Sequence, residues 1–321
     1  MAAMAAQRYP DLYDGILSGA PVIDLTRNGG LYGSWIVQKN TDSNSDVVLG
    51  PKFNAKLPAL HAEVLRQCDT DNAGVVTDPR TCKFDAAALP RCENNEDSPA
   101  CFTESEAGVI AAWYGGPRNS AGNPLYFGTP PGSEPFWPVW LTGTDKSRAV
   151  GMDLGRDYLK MAFSPSDPGP ALTPDEFDFD RDPPRLASRS AALNATDPNL
   201  SAFAKSGGKM IMYQGWADPV VLPQRTVEYY ESAVAQNGGL AKTQEFFRLF
   251  MIAGIGHCWE VPAPAPDQFD PIAALEAWAE RGVAPEAIPI VQRDKAGKAV
   301  RKGTLRPFPL TETFDPAVVE H

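Results

Sequence analysis

The sequence has no long apolar run and little positive charge. None of its apolar stretches reaches the roughly 18 residues of a membrane-spanning helix, and its start lacks the apolar core of a signal peptide. The 321 residues carry 29 Lys and Arg against 40 Asp and Glu, a net charge of −11, with no basic cluster beyond Arg293 to Lys302. Because phosphate binding needs clustered cations, nucleic acid is an unexpected partner. We expect a globular protein of the secreted or periplasmic type, with no membrane partner and with any export signal outside this sequence.

Histidine is scarce, and one of the three histidines stands out by its position. His257 follows the apolar run Phe246 to Ile252, and Asp218 follows a second apolar run, Lys209 to Tyr213. Short apolar runs bounded by turn residues are typical of buried strands. An acid and a base therefore follow consecutive predicted strands, at the edge where open α/β sheets place their chemistry.

Proline and glycine mark the boundaries between three regions that differ in composition and in hydrophobic pattern. Residues 1–24 predict the end of a helix and then a buried strand over Gly15 to Ala20. Residues 25–200 are rich in Pro, Gly, Asp and Asn, which indicates an insertion. Residues 201–321 alternate strand and helix, which predicts an α/β fold with a parallel sheet. About three core strands are fewer than the five or more usual in such a sheet, so we expect the C-terminal part of a larger fold. The predicted helices are Pro58 to Gln67, Thr103 to Tyr114, Leu222 to Gln236 and Pro271 to Arg281.

Four of the five cysteines lie close together in the insertion, as Cys68, Cys82, Cys92 and Cys101. Such spacing favours two small-loop disulfides made in an oxidising compartment. Zinc is the alternative, but no cysteine pair has the gap of about two to four residues that zinc knuckles use. The fifth cysteine, Cys258, directly follows His257.

Asp218 and His257 have the types and the order of the last two members of a hydrolytic triad. Such a triad needs a hydroxyl nucleophile, an imidazole that takes its proton and a carboxylate that orients the imidazole, and α/β-hydrolases carry them in the order Ser, Asp, His. The nucleophile motif Gly-x-Ser-x-Gly does not occur in the sequence. Ser18, Ser34 and Ser206 each lack a required glycine or the strand-to-helix context. The alternative is that Asp218 caps the next helix and His257 is a turn residue, but two strand-end positions together favour the triad.

Four stretches, in order along the chain, carry a specific resemblance. They are Ala5 to Pro10 with Asp14 to Pro21, Gly207 to Pro219, Gly254 to Cys258, and Ala274 to Gly282. They resemble the tannase and feruloyl esterase family, whose members include bacterial hydrolases of terephthalate esters. The resemblance implies the C-terminal part of an α/β-hydrolase fold with a large inserted lid. Residues 1–24 and 201–321 then belong to the hydrolase core and residues 25–200 to the lid. The implied activity is hydrolysis of aromatic-acid esters by a serine mechanism without a catalytic cofactor.

The same resemblance assigns roles to the site residues. Asp218 orients His257, and His257 is the general base. In this family a Cys-Ser pair occupies the nucleophile turn, whose helix runs directly into the segment Ala5 to Pro10. The cysteine of that pair forms a disulfide with the cysteine after the catalytic histidine. Cys258 is therefore the expected partner of a missing cysteine, and the serine is expected just upstream of Met1. The chain as given is expected to be an inactive N-terminal truncation.

The stretch Cys68 to Cys82 resembles the calcium loop of the family's lid, which a disulfide brackets. Cys92 and Cys101 resemble a second lid disulfide. The loop is shorter than the family pattern, so calcium bound by Asp69 and Asp71 and a metal-free Asx-rich turn are both open.

The aromatic residues of the insertion are candidates for lining a substrate pocket, although core packing is their more usual role. The alternative to an esterase is a non-catalytic module that binds aromatic ligands. Neither the preferred acid nor the oligomeric state follows from the sequence. The aromatic candidates are Trp113, Tyr114, Phe127, Phe136, Trp137 and Trp140.

Overall fold

The computed structural model describes residues 1–162, 173–258, 265–294, 296–310 and 312–314, without the side chains of residues 160–162 and 314. Its strands are β1 (Gly15–Gly19), β2 (Lys209–Gly215), β3 (Phe247–Ile252), β4 (Ile288–Arg293), β5 (Ala299–Leu305) and β6 (Thr313–Phe314). Its helices are α1 (Ala2–Arg8), α2 (Leu25–Arg27), α3 (Gly33–Lys39), α4 (Leu57–Cys68), α5 (Glu104–Gly115), α6 (Trp137–Trp140), α7 (Val150–Ala162), α8 (Pro183–Leu193), α9 (Ser201–Lys205), α10 (Pro223–Gln236), α11 (Leu240–Thr243) and α12 (Pro271–Arg281).

Three parallel strands form the central sheet, in the order β1, β2, β3. Gly15 is opposite Lys209, and Met210 is opposite Phe247. The three strands confirm the three apolar runs that predicted them, with ends that differ by one or two residues. Because the strands are parallel, the loops that follow β2 and β3 leave the sheet at the same edge.

Both faces of this sheet are covered, which explains why its strands are largely apolar rather than alternating between apolar and polar residues. Met210 and Met212 of β2 pack on one face, in a cluster with Tyr230 of α10. Ile211 packs on the other face, in a cluster with Trp278 of α12. The predicted helices around residues 222–236 and 271–281 are thus confirmed as α10 and α12.

An antiparallel sheet of β4, β5 and β6 was not expected from the sequence. Ile288 and Ile290 of β4 are buried against the central sheet, while much of β5 is polar. Arg293, Arg301 and Lys302 of the basic cluster lie on these two strands. Arg293 and Lys302 are exposed, whereas Arg301 is half-buried.

The helices between α2 and α8 enclose an apolar cluster of their own, with Leu60 of α4, Ile110 of α5 and Trp113 at its centre. The predicted helices at 58–67 and 103–114 are confirmed as α4 and α5. Thr103 and Glu106 form a capping box that fixes the start of α5. Helices α7 and α8 were not predicted. The boundaries 1–24, 25–200 and 201–321 stay a prediction, and residues 163–172, 259–264, 295, 311 and 315–321 of these regions lie outside the described part.

Both disulfides predicted for the insertion are present. Cys68 at the end of α4 is bonded to Cys82, 14 positions later, and Cys92 to Cys101, nine positions later. Within the described residues no helix has the length and apolar character needed to cross a membrane. The same part of the chain contains no group of three or more His, Cys, Asp or Glu placed to hold a metal, including at the four insertion cysteines considered for zinc.

Candidate active site

Asp218 lies in the loop after β2 and is fully buried. Its Oδ1 accepts the backbone N–H groups of Val220 at 3.0 Å and Val221 at 2.8 Å, and its Oδ2 accepts Nε2 of Gln214 at 2.8 Å. Helix α10 begins only at Pro223, so Asp218 holds the turn before the helix rather than capping the helix itself. These three N–H donors fix the orientation of the carboxylate.

His257 lies in the loop after β3, and the structure brings its ring to Asp218. Nδ1 of His257 is 2.8 Å from Oδ2 of Asp218. The side chain of His257 is 20% exposed and that of Asp218 is 0% exposed, so the imidazole lies between the buried acid and the surface. With Nδ1–H donating to the carboxylate, Nε2 becomes the nitrogen that can accept a proton. The two residues thus have the geometry of an orienting acid and a base, and their roles in a reaction stay predictions.

Two aromatic side chains of the insertion pack against the His257 loop. A Cβ added to Gly256 would lie 2.8 Å from the ring of Phe136, so only glycine permits this close approach. The indole of Trp140 meets the imidazole of His257 with ring centroids 5.1 Å apart. Insertion and central sheet therefore meet at the imidazole.

A largely apolar cavity of about 260 Å³ opens beside His257. Its size and lining suit a small apolar group rather than a large polar ligand. Its walls come from the insertion and from the Asp218 loop, and the side chains that form them include Leu25, Tyr32, Ile36, Trp140, Leu154, Tyr158, Val220 and Val221.

Of the aromatic candidates from the sequence, only Trp140 is among the residues that line this cavity. Trp113 and Trp137 pack edge to face in the core of the insertion, with ring centroids 5.1 Å apart. Sequence reasoning missed Tyr32 and Tyr158. Val220 and Val221, which follow Asp218 after one proline, also line the cavity, and an apolar pair so close to a candidate acid was a usable signal for this wall.

The three serines considered for the nucleophile have other environments. Ser18 is buried within β1, and Ser34 is buried within α3. The hydroxyl of Ser206 is 2.6 Å from the carbonyl of Pro10 and 2.8 Å from that of Phe203. These surroundings agree with the sequence argument that none lies on a strand-to-helix turn.

Cys258 belongs to neither of the two disulfides and is exposed next to His257. Its backbone has φ 58°, which is unusual for a residue with a side chain. Ala20, just past the end of β1, lines a small space together with Cys258 and Tyr213. The cysteine therefore lies at the same edge of the sheet as the candidate acid and base.

The loop considered for calcium is closed by hydrogen bonds of its own. The carboxylate of Asp69 accepts the N–H groups of Ala73 at 2.8 Å and Gly74 at 2.9 Å, one on each oxygen. Calcium needs about six to eight oxygen ligands directed at one point, whereas N–H groups are directed at Asp69 here. Asp69 in this arrangement is turned to backbone donors rather than to an ion, and calcium binding by Asp69 and Asp71 stays a prediction.

Comparison with known proteins places the chain in a family. The family described as tannase and feruloyl esterase matches residues 2–318. An uncharacterized esterase of Xanthomonas campestris pv. campestris is 36% identical over an alignment of 351 positions, gaps included, which covers 96% of this chain and 59% of that protein. The mono(2-hydroxyethyl) terephthalate hydrolase of Piscinibacter sakaiensis is 31% identical over an alignment of 354 positions, gaps included, which covers 95% of this chain and 58% of that protein.

Solved structures agree on the fold. The crystal structure of feruloyl esterase B from Aspergillus oryzae superposes with a TM-score of 0.80 at 21% identity, covering 97% of this chain and 62% of that one. With the three parallel strands, this confirms the expected α/β-hydrolase type of fold. The chain spans less than two thirds of the length of each of these relatives. By the match to residues 2–318 and the 36% identity, the chain belongs to the tannase and feruloyl esterase family.

Proposed function

We propose that this chain carries the acid and the base of a carboxylic ester hydrolase that acts on esters of aromatic acids. The observation that carries the proposal is the 2.8 Å contact between Nδ1 of His257 and Oδ2 of the buried Asp218. The carboxylate is fixed by three further donors, so it orients the imidazole and stabilises its cation. Family membership supports the same reaction class.

The reaction follows the general course of serine esterases. Nε2 of His257 takes the proton of a serine hydroxyl while the serine oxygen attacks the ester carbonyl. The tetrahedral intermediate collapses, the C–O bond to the alcohol breaks, and His257 returns the proton to the departing alkoxide. Water then attacks the acyl-enzyme with His257 as base again, which releases the acid and regenerates the serine. Asp218 stays ionised throughout.

The apolar cavity beside His257 is the proposed site for the ring of the acid. It holds about 260 Å³ and is bounded by Trp140, Tyr32 and Tyr158. Aromatic walls favour a planar ring, because flat surfaces pack without gaps. The relative from Piscinibacter sakaiensis is named for the hydrolysis of a terephthalate ester, which is also an ester of an aromatic acid.

The nucleophile is proposed to be a serine encoded upstream of Met1. The order Ser, Asp, His and the resemblance of the segment from Ala5 to Pro10 support this position. Cys258 is proposed to form a disulfide with a cysteine beside that serine. Its position next to His257 and near Ala20, at the edge of the sheet, supports this pairing.

An oxidising compartment, secreted or periplasmic, is the proposed location. The two disulfides of the insertion support it, because such bonds persist outside the reducing cytosol. A small aromatic ester is the proposed partner.

The test compares this chain with the same chain extended by the codons that precede Met1 in its gene. We expect those codons to encode a Gly-Cys-Ser-like turn in frame. The extended protein should then hydrolyse methyl ferulate or methyl gallate, whereas this chain and the extended His257→Ala variant should not. A stop codon directly before Met1 would contradict the upstream serine. Turnover that survives His257→Ala would contradict the role of the base. Ligand binding and a cooperative melt without turnover in the extended protein would support the binding module instead.

A further inference from the structure

A short π-helical turn, Asn28 to Tyr32, contacts the loop that carries Asp218. Nδ2 of Asn28 donates to the carbonyl oxygen of Val220 at 2.8 Å. The hydroxyl of Tyr32 donates to the carbonyl oxygen of Pro219 at 2.6 Å. Side chains of one turn therefore hold the first two carbonyl groups after Asp218.

The same two peptide groups bind Asp218 on their opposite side. The peptide between Pro219 and Val220 accepts from Tyr32 at its carbonyl and donates its N–H to Oδ1 of Asp218. The next peptide accepts from Asn28 and donates its N–H to the same oxygen. Hydrogen bonds in series polarise one another, so each donor of the turn strengthens an N–H bond to the carboxylate. Asn28 and Tyr32 thus act on Asp218 through one peptide group each.

The turn is itself tightly placed. The N–H of Gly33 bonds to the carbonyl of Asn28, which is the wide spacing of a π-turn, a feature often found at functional sites. A Cβ on Gly29 would lie 2.6 Å from the ring of Tyr158, so the turn approaches α7 as closely as glycine allows. The hydroxyl of Thr129, 2.8 Å away, is the second partner of the Tyr32 hydroxyl. Burial, with a smaller contribution from the charge of Asp218, raises the pKa of Tyr32, so its hydroxyl stays a donor.

We propose that Asn28 and Tyr32 are positioning residues, which set the orientation of the Asp218 carboxylate and hence of His257. Neither residue acts on the reacting atoms. The catalytic consequence rests on the proposed function, whereas the orientation of His257 can be measured without any turnover. Asn28 and Tyr32 both also line the cavity beside His257, so this turn joins the proposed acyl site to the acid.

The first experiment reads the tautomer of His257 in this chain, labelled with ¹⁵N-histidine, by NMR. Donation to Asp218 holds the ring in the Nδ1–H form, whereas an unrestrained neutral imidazole in water favours Nε2–H. We expect Tyr32→Phe, which removes only the hydroxyl, to move His257 toward the Nε2–H form. His61 is an internal reference, because its Nδ1 is 2.6 Å from Glu134 in a separate part of the insertion and should keep its signal.

A matched control separates positioning from general loss of stability. Tyr229 is buried, and its hydroxyl bonds to the carbonyl of Asp197 and to Gln7, so Tyr229→Phe removes the same group from a comparable setting. This variant should leave the His257 tautomer unchanged. Asn28→Ala is the second test variant, on a half-buried side chain whose loss disturbs the core less, and it should shift the tautomer as Tyr32→Phe does.

The second experiment measures hydrolysis of methyl ferulate by the extended protein. Misplacing a catalytic group affects the chemical step more than binding, so Tyr32→Phe should lower kcat about tenfold and leave KM within about twofold. An unchanged His257 tautomer in Tyr32→Phe and Asn28→Ala would overturn the proposal, as would an equal change in Tyr229→Phe. An extended protein without esterase activity would contradict the proposed function only, because the His257 tautomer in this chain tests the positioning role without any turnover.

Discussion

The indole of Trp140 lies edge-on to the imidazole of His257, with their planes at 84°. Trp140 belongs to the insertion, and His257 follows a strand of the central sheet. The imidazole is therefore positioned from two sides, by Asp218 at Nδ1 and by an aromatic edge contact. A movement of the insertion segment that carries Trp140 would therefore alter the ring contact to His257.

Replacing Trp140 should impair both binding and chemistry in the extended, ester-hydrolysing protein. Trp140→Ala removes the contact to His257 and one wall of the cavity, and an aromatic pair contributes about 0.5–1.5 kcal/mol beyond burial. We expect kcat/KM for methyl ferulate to fall by about tenfold. Trp140→Phe, which keeps an aromatic edge, should lose less. The control is Val139→Ala, on an exposed neighbour, and equal activity of Trp140→Ala and Val139→Ala would contradict the prediction.

Replacing the acid by its amide should affect turnover far more than binding. In Asp218→Asn, an NH₂ group must face either the Nδ1–H of His257 or the backbone donors of Val220 and Val221, so the imidazole loses its preferred tautomer. The corresponding change in a serine protease lowers kcat about 10⁴-fold, and we expect a similar loss here. Kinetics of the extended protein provide the measurement. Retention of more than a tenth of wild-type kcat would show that Asp218 does not orient the base.

Chelators should leave the stability of this chain unchanged, because hydrogen bonds to Asp69 rather than a bound calcium ion hold its loop. Asp69 already accepts two N–H groups, and Asp69→Ala should lower the free energy of unfolding by about 1 kcal/mol through their loss. Thermal melts with EDTA and with added calcium chloride provide the measurement. A calcium-dependent rise in melting temperature that disappears in Asp69→Ala would favour the ion over the turn.

The strand-end positions of Asp218 and His257 could be predicted because their signal is local. A largely apolar run such as Phe246 to Ile252, in which Arg248 is the one charged residue, is long enough to specify a buried strand, and the loop that follows begins at the sheet edge. The capped helix that begins after Thr103 was equally readable, since its cap and its Glu lie within four residues.

The cavity could not be predicted, because residues far apart in sequence form it. Helices α3 and α7 meet where Gly33 and Gly155 nearly touch, and this contact brings Ile36 and Tyr158 to one wall. Nothing local to either glycine indicates its partner. The strand β5 was missed for another reason, because Arg301 and Lys302 make it polar and its pairing with β4 provides the stability.

Glu312 should make the stability of the protein fall as pH rises. Its Oε1 accepts the N–H of Ala253, at the start of the His257 loop, and its Oε2 is buried with no hydrogen-bond partner among the described residues. Burial raises the pKa of Glu312 from 4.5 to about 8, against the opposing effect of the Ala253 N–H. Between these values the unfolded chain has released the proton that the folded chain keeps, so the free energy of unfolding decreases with rising pH in this window.

Glu312→Gln tests this, because an amide keeps the shape and has no such proton to lose. We expect urea unfolding to give Glu312→Gln a higher free energy of unfolding, relative to the wild type, at about pH 8 than at about pH 5. Glu276→Gln, on the exposed side of α12, is the control and should follow the wild type at both values. Equal pH dependence in wild type and Glu312→Gln would show that the carboxyl is already ionised in the fold.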